Sequence, residues 1–237
     1  MESTTIKQIN GHKIACAHLD AGGETIVIFC HGYRSSSIGP NRLFVGAARK
    51  LANHDISSLR FDQYGSGNSE GEFRDSSFDD WMATTKVIVE HYLGRGFRVV
   101  LFGQSMGGAT VLGVGAKISR LAAIVAWVPA PNVHKFTSPA NGLIEEGGQI
   151  VQARYWQEAH DAHIADKLAN VQAPVYIVQC SDDEYVSAEN HQTIEANAQP
   201  HHRVELLEGY KHSAWTYNQA SKVIDKSINF ILENLSR

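Results

Sequence analysis

One short segment of the sequence combines a serine with two glycines at a spacing that suits nucleophilic chemistry. Gly103, Ser105 and Gly107 form a Gly-x-Ser-x-Gly pattern directly after the apolar run at residues 99–102. The run is typical of a buried strand and an apolar helix follows at once, so Ser105 must lie on a very tight turn. Such a turn holds the hydroxyl clear of the sheet, at a helix N-terminus that stabilises developing negative charge. The pattern predicts a serine nucleophile and disfavours dinucleotide binding, which needs glycine at the position of the serine.

A serine hydroxyl is a weak nucleophile until a positioned base accepts its proton, so a histidine and an acid are expected at later strand ends. His212 follows the last predicted strand, residues 203–207, and among the twelve histidines it alone has the required place. Asp182 and Asp183 follow the strand predicted at residues 175–180. We predict that His212 is the general base and that one of these two aspartates orients it.

The oxyanion of an acyl-transfer intermediate needs two backbone N–H groups. Met106 directly follows the predicted nucleophile, and Tyr33 follows Gly32 in the loop after the strand predicted at residues 25–30. We predict that the N–H groups of Met106 and Tyr33 form the oxyanion hole. Asp62 also follows a predicted strand, but the glycine-rich turn after it indicates a structural carboxylate that accepts backbone N–H bonds.

Three aromatic residues near strand ends or in the later connecting segment are predicted to line a substrate pocket: Trp127, Trp156 and Tyr185. His160 and His163 have a spacing that can suggest a metal site. Their helical spacing and polar surroundings favour a solvated helix face, so no metal and no cofactor are predicted.

Strands and helices alternate along the sequence after an opening hairpin. The predicted strands cover residues 6–9, 13–18, 25–30, 56–61, 99–102, 121–128, 175–180 and 203–207. The predicted helices cover residues 41–53, 77–93, the segment after Ser105, 154–169, 188–196 and 215–235, with irregular chain at 132–153. This alternation predicts an α/β fold with a mainly parallel sheet of about eight strands and helices on both faces. In such a sheet the chemistry gathers at the carboxyl ends of the strands.

The composition describes an ordinary globular protein, with 43% hydrophobic and 19% charged residues. A single domain over residues 1–237 is expected, with residues 129–174 as a short lid or connection. The net charge of −4 gives no basic footprint for nucleic acid or for an anionic membrane. Three cysteines without paired spacing argue against a disulfide framework, and the first residues lack the apolar core of a signal peptide. A cytoplasmic location is therefore expected.

These residues together resemble the α/β-hydrolase family, and the resemblance spans nearly all of the chain. The matching motifs are His31-Gly32-Tyr33, Asp62-x-x-Gly65-x-Gly67-x-Ser69, Gly103-x-Ser105-x-Gly107-Gly108, Cys180-x-x-Asp183-x-x-Val186 and His212. The segment at residues 154–163 is similar to the small-lid branch that includes cinnamoyl and feruloyl esterases.

The resemblance also distinguishes the two aspartates. The family commonly places its acid in a Gly-x-x-Asp-x-x-Val motif, and the register with Val186 selects Asp183. Two positions depart from the family pattern: Cys180 replaces the glycine of this motif, and Gln104 precedes the serine where the family often has histidine.

The predicted reaction is acyl transfer to water through an acyl-enzyme on Ser105. The small lid favours a small-molecule carboxylic ester with a compact or aromatic acyl group as the substrate. An acyl thioesterase or a peptidase uses the same triad, so both stay as alternatives within enzymes. A non-catalytic ligand-binding protein with this fold is a third alternative, which the intact serine, acid and histidine disfavour.

Overall fold

The structure is a computed structural model that describes residues 2–130 and 142–236. Within those residues the chain forms ten strands and seven α-helices. The strands are β1 (Glu2–Ile9), β2 (His12–Leu19), β3 (Thr25–Cys30), β4 (Ile56–Phe61), β5 (Arg98–Gln104), β6 (Ala123–Trp127), β7 (Leu143–Glu146), β8 (Gln149–Gln152), β9 (Val175–Cys180) and β10 (His202–Leu207). The helices are α1 (Leu43–Ala52), α2 (Phe78–Gly94), α3 (Met106–Gly115), α4 (Ala153–Asp161), α5 (Ile164–Lys167), α6 (Ala188–Asn197) and α7 (Tyr217–Leu235). None of these described helices is both long enough and apolar enough to span a membrane.

Eight strands form one sheet in the order β1-β2-β4-β3-β5-β6-β9-β10. The pairs β1–β2 and β2–β4 are antiparallel, whereas every later pair in that order is parallel. The predicted mainly parallel sheet of about eight strands is therefore confirmed. The carboxyl ends of the six parallel strands meet at one edge of the sheet, and the loops that carry the predicted site residues begin there.

Helices cover both faces of this sheet and enclose two cores. Ile28 and Leu101 belong to the core that includes α2 and α3, while Phe29 and Phe102 belong to the core that includes α1 and α7. Neighbouring side chains contribute to opposite cores because side chains alternate across a strand. The central strands β3 and β5 are thus buried on both faces, which explains the continuous apolar runs in their sequences.

A two-stranded hairpin, β7–β8, lies apart from the main sheet. The predicted irregular chain at residues 132–153 is wrong for its described part, because this hairpin occupies most of it. Gly147 and Gly148 both have positive φ, 57° and 76°, as a two-residue hairpin turn requires. Ile144 pairs with Val151, and both pack against the core. The remaining part of the predicted segment falls outside the described residues.

The predicted helix over residues 154–169 is interrupted at His163, whose φ of 44° is left-handed. Helix α4 therefore ends at Asp161, and α5 begins at Ile164. Tyr155 and Ile164 are both buried, yet nine residues of continuous helix would put them on opposite faces. The break reorients the chain so that both side chains reach the core.

The closing helix α7 begins at Tyr217, two residues later than predicted. Thr216 is its N-cap and forms a capping box with Gln219. Trp215 instead belongs to the preceding loop, where its Nε1 donates to the carbonyl oxygen of Lys211 at 2.7 Å. This bond stiffens the loop that holds the predicted catalytic histidine.

The three cysteines, Cys16, Cys30 and Cys180, are free thiols, and all are buried. Burial raises the pKa of Cys16 to about 11, and it raises the pKa of Cys30 and of Cys180 to about 12. The thiols therefore stay protonated at neutral pH and serve as small apolar side chains, as the sequence predicts for Cys30 and Cys180.

Candidate active site

Ser105 lies on a strained turn between β5 and α3. Its φ of 55° and ψ of −123° are unusual for a residue with a side chain, a conformation that costs roughly 1–3 kcal/mol. A Cβ at Gly103 would lie 2.2 Å from the carbonyl oxygen of Gly107, and a Cβ at Gly107 would lie 2.1 Å from that of Cys30. Only glycine fits at both positions. The serine hydroxyl does not cap α3, so it is left for other partners.

A pocket of about 380 Å³ opens at this edge of the sheet. Six of the residues predicted from the sequence line it: Tyr33, Ser105, Met106, Trp156, Tyr185 and His212. The pocket therefore brings together the predicted nucleophile, the predicted base, both predicted oxyanion residues and two of the three predicted aromatic residues.

His212 and Asp183 form a buried pair in the loops that follow β10 and β9. The Nδ1 atom of His212 lies 2.8 Å from Oδ2 and 3.0 Å from Oδ1 of Asp183. The two side chains are only 8% and 1% exposed. The Oδ1 atom of Asp183 also accepts the N–H groups of Tyr185 and Val186, each at 2.8 Å. These bonds fix the carboxylate against the imidazole ring.

The ionisation of Asp183 sets the tautomer of His212. Burial raises the pKa of Asp183, but the hydrogen bond and charge of His212, together with the N–H groups of Val186 and Tyr185, hold it below its ordinary value of 3.8. The carboxylate is therefore ionised at neutral pH and accepts the Nδ1 proton of His212. In the neutral ring this leaves Nε2 as a hydrogen-bond acceptor, the form that a general base requires.

The neighbouring acids have different partners. Asp182 is exposed, and its Oδ1 accepts the hydroxyl of Ser181 at 2.8 Å. The structure thus places Asp183, and not Asp182, beside His212. Glu184, which the sequence analysis does not single out, accepts the backbone N–H of His212 at 3.3 Å. Since no motif marks that position, only the folded loops reveal the contact.

The loop after β3 passes directly against the serine. A Cβ at Gly32 would lie 3.2 Å from the Cβ of Ser105, so glycine allows the close approach. No described residue accepts a hydrogen bond from the N–H of Tyr33 or of Met106. Both N–H groups are therefore available to a ligand that contacts Ser105.

A fully buried histidine, His31, fixes this loop. The backbone N–H of Gln63 can only donate, so Nε2 of His31 accepts it at 3.0 Å and the ring proton must be on Nδ1. Nδ1 then donates to the carbonyl oxygen of Gly32 at 2.8 Å. Burial lowers the pKa of His31 below its ordinary value of 6.5, so the ring is neutral in the folded protein. Protonation of Nε2 would break the bond to Gln63.

This arrangement predicts a pH dependence of stability. Because the folded-state pKa of His31 is lowered, its contribution to the free energy of unfolding is complete above about pH 6.5 and is lost as the pH falls below that value. The loss is at most about 1.4 kcal/mol per pH unit from this group. In His31→Gln the side-chain oxygen still accepts but does not titrate, so urea unfolding between pH 7.5 and 5.5 should show a shallower decline than in the wild type. An equally steep decline in the variant would contradict the prediction.

The sequence pattern of the family described as serine aminopeptidase, S33, matches residues 23–160, which is more than half of the chain. The chain belongs to this α/β-hydrolase family. No curated protein matches it. The matched segment contains the loop after β3 and the turn that carries Ser105, whereas His212 and Asp183 lie beyond it.

Solved structures share the fold of this α/β-hydrolase over nearly its whole length. Est1E from Butyrivibrio proteoclasticus with bound ferulic acid is 20% identical, with a TM-score of 0.85 and 100% of each chain covered. GrgF, an alpha/beta hydrolase from Penicillium sp. sh18, is 14% identical at the same TM-score and coverage. A monoacylglycerol lipase from Paleococcus ferrophilus is 17% identical, with a TM-score of 0.77, and 93% of this chain and 99% of that chain are covered. These likenesses confirm the predicted fold.

The prediction that Trp127 lines the pocket of this hydrolase is wrong. Trp127 is fully buried among Phe44, Phe102 and Trp215, on the sheet face covered by α1 and α7. Its Nε1 donates to the hydroxyl of Ser227 at 2.9 Å. Because side chains alternate along β6, the last residue of that strand points into the core and away from the pocket.

Two charged pocket residues were not predicted from the sequence. Arg34 and Glu146 both line the pocket, and their side chains lie 3.7 Å apart. A Cβ at Gly147 would lie 1.8 Å from Nη1 of Arg34, so the turn of the β7–β8 hairpin is shaped around this guanidinium. Arg34 could have been found because it directly follows Tyr33. Glu146 could not, because its hairpin was predicted as irregular chain.

Asp62 and the histidine pair complete the sequence-predicted positions. The carboxylate of Asp62 accepts the N–H groups of Ser37 at 2.6 Å and Asn68 at 2.9 Å, which is the structural role predicted for it. The rings of His160 and His163 have centroids 5.8 Å apart. Within residues 2–130 and 142–236, no group of three or more potential metal ligands comes together.

Proposed function

We propose that the chain is a serine esterase that hydrolyses carboxylic esters of small or aromatic acyl groups. The observation that carries the proposal is the 2.8 Å contact between the Asp183 carboxylate and Nδ1 of His212, in a pocket that His212 shares with Ser105. A buried, ionised carboxylate beside an imidazole is the arrangement that makes a nearby serine nucleophilic.

In the first half of the proposed reaction, Nε2 of His212 accepts the hydroxyl proton as Oγ of Ser105 attacks the carbonyl carbon of the ester. The carbonyl oxygen becomes an oxyanion, which the N–H groups of Tyr33 and Met106 stabilise. Asp183 stabilises the imidazolium by charge. The tetrahedral intermediate then collapses, the C–O bond to the alcohol breaks, and His212 returns the proton to the departing alcohol oxygen.

In the second half, neutral His212 accepts a proton from a water molecule that attacks the acyl carbon. A second oxyanion forms in the same hole and collapses, and the bond between the acyl carbon and Oγ of Ser105 breaks. His212 gives the proton back to Ser105, and the carboxylic acid leaves. Every proton that His212 accepts is returned within its half-reaction, so the enzyme ends in its starting state.

The size and lining of the pocket support a compact or aromatic acyl group. Its volume of about 380 Å³ is near the lower end of the roughly 300–1,000 Å³ typical of small-molecule sites. The ring centroids of Trp156 and Tyr33 lie 4.6 Å apart. Tyr185 is 68% exposed, and the centroid of its ring lies 5.1 Å from that of His212. We propose that these rings contact the substrate, and that residues 129–174 act as the lid of a single domain. Ferulic acid, the ligand bound to Est1E, is an aromatic acid of this kind.

A panel of esters tests the proposal. We expect p-nitrophenyl acetate and butyrate and methyl hydroxycinnamates to have kcat/KM values at least about tenfold above that of p-nitrophenyl palmitate, because short or flat acyl groups fit a pocket of about 380 Å³ better than a long alkyl chain does. Trp156→Ala should raise KM for the hydroxycinnamates more than for acetate. A preference for palmitate, or no ester turnover at all, would contradict the proposed substrate class.

Further substrates separate the alternative activities. A peptidase is one of them, and the family pattern is described as that of an aminopeptidase. Acyl-CoA thioesters test for thioesterase activity, and aminoacyl p-nitroanilides test for peptidase activity. A fluorophosphonate probe tests for an activated serine, because a purely ligand-binding protein has no need for one. Labelling of Ser105 together with ester turnover supports an esterase, whereas turnover of the anilides alone would identify a peptidase.

A further inference from the structure

A second cleft lies between the two N-terminal strands, the end of β4 and the start of α1. Its volume is about 240 Å³, smaller than a typical pocket for a whole organic ligand and suited to an ion-sized group. The nucleophile Ser105 does not line this cleft. The proposed esterase reaction makes no use of it.

Three arginines line this second cleft. Arg42 directly precedes α1, and Arg49 lies on that helix two turns later. Both are exposed. No carboxylate in the part of the chain that the structure describes forms an ion pair with either. Arg60 comes from β4, and its side chain is only 5% exposed. The cleft therefore concentrates positive charge, and neither Arg42 nor Arg49 has an ion-pair partner among the described residues.

The buried Arg60 is only partly satisfied. Its Nη1 donates to the carbonyl oxygen of Ser37 at 3.2 Å, and its Nη2 pairs with the carboxylate of Glu2. Its Nε has no hydrogen-bond partner among the described residues. A buried guanidinium needs both charge and hydrogen-bond compensation, and a planar fork of donors matches a carboxylate or phosphate.

The two carboxylates of the cleft, Asp62 and Glu2, do not prevent another anion from binding to the arginines. Asp62 also lines it, but both of its oxygens already accept backbone N–H groups. Glu2 lies on the edge strand β1 and its side chain is 33% exposed, so an anion from solvent can compete with it for Arg60. Displacing Glu2 would expose little apolar surface, and its present position demonstrates that Arg60 takes a carboxylate.

We infer that this cleft is a binding site for a small oxyanion, a phosphate or carboxylate group, which displaces Glu2 from Arg60. The incoming group contacts Arg42 and Arg49 as well, whereas Glu2 forms no ion pair with either of them. Three guanidinium groups then share one anion, so the anion binds more strongly than Glu2, which pairs with Arg60 alone. The site is independent of the proposed esterase activity.

Calorimetric titration of the full chain with inorganic phosphate and with citrate, at constant ionic strength, tests the inference. We expect saturable one-to-one binding of at least one of these anions, and the tighter one identifies the preferred group. Arg42→Gln/Arg49→Gln should weaken the affinity about tenfold or more, because two charge-assisted contacts are lost. Lys117→Gln/Arg120→Gln removes the same charge from exposed positions outside the cleft and should leave the affinity unchanged. Binding of neither anion, or equal weakening in both double variants, would overturn the site.

A second variant tests the displacement itself. Glu2→Gln removes the competing carboxylate, so its affinity for the anion should rise about threefold or more, and the anion should raise its Tm by more than it raises the Tm of the wild type. The matched control Glu24→Gln, also exposed, should behave like the wild type. An unchanged or weaker affinity in Glu2→Gln would show that the anion does not take the place of Glu2.

Discussion

Ser105→Ala should lower the rate of ester hydrolysis by about four to six orders of magnitude, because removal of the proposed nucleophile disables the whole proposed triad at once. The fold should survive, since the serine hydroxyl does not cap α3 and alanine keeps the same backbone preference. The measurement is kcat/KM with p-nitrophenyl acetate, together with the Tm of each protein.

Ser213→Ala is the matched control, because Ser213 also lines the pocket but has no part in the proposed reaction. It should keep most of the rate. If Ser105→Ala retains as much as about a tenth of the wild-type rate, or if Ser213→Ala loses as much as Ser105→Ala, then Ser105 is not the nucleophile.

Asp183→Asn should lower turnover by about four orders of magnitude with a near-normal Tm. The asparagine NH₂ group would donate to Nδ1 of His212, which moves the ring proton to Nε2 and leaves no acceptor for the serine proton. The asparagine oxygen can still accept the N–H groups of Tyr185 and Val186, so the loop should keep its shape.

Asp182→Asn is the paired control, because the exposed Asp182 contacts the Ser181 hydroxyl and lies one residue from Asp183. It should change turnover little and stability by about 1 kcal/mol at most. If the loss of activity follows Asp182 instead, the acid in the working enzyme differs from the one that pairs with His212. If neither change matters, the orienting acid comes from another strand end.

Much of the fold could be predicted because the central strands are buried on both faces. The bounds of β3 and β9 agree with the predicted residues 25–30 and 175–180, since largely apolar runs mark fully buried strands. The bounds of β4 agree with residues 56–61 as well, although three polar residues, Ser57, Ser58 and Arg60, interrupt its apolar pattern. The serine turn was predictable for a different reason. The spacing of Gly103 and Gly107 reflects close backbone contacts that no other residue type allows.

What could not be predicted depends on contacts that are distant in sequence. Trp127 lies on the sheet face covered by α1 and α7 because it packs there against Trp215 and Phe44. Nothing in the sequence of β6 itself indicates that face. The break at His163 arises because the buried side chains of α4 and α5, such as Tyr155 and Ile164, must both reach the core. The residues alone left Asp182 and Asp183 open and only the resemblance to the family motif selected Asp183, because the contact that distinguishes them is with His212, twenty-nine residues from Asp183.

The burial of all three cysteines makes the native protein inert toward thiol reagents at neutral pH. Cys16, Cys30 and Cys180 are protonated and enclosed, so a disulfide reagent finds neither a thiolate nor a path to one. A colorimetric assay that counts free coenzyme A released from thioesters therefore registers product alone, with no background from intact enzyme. Slow colour development without substrate would in turn measure how often the core opens.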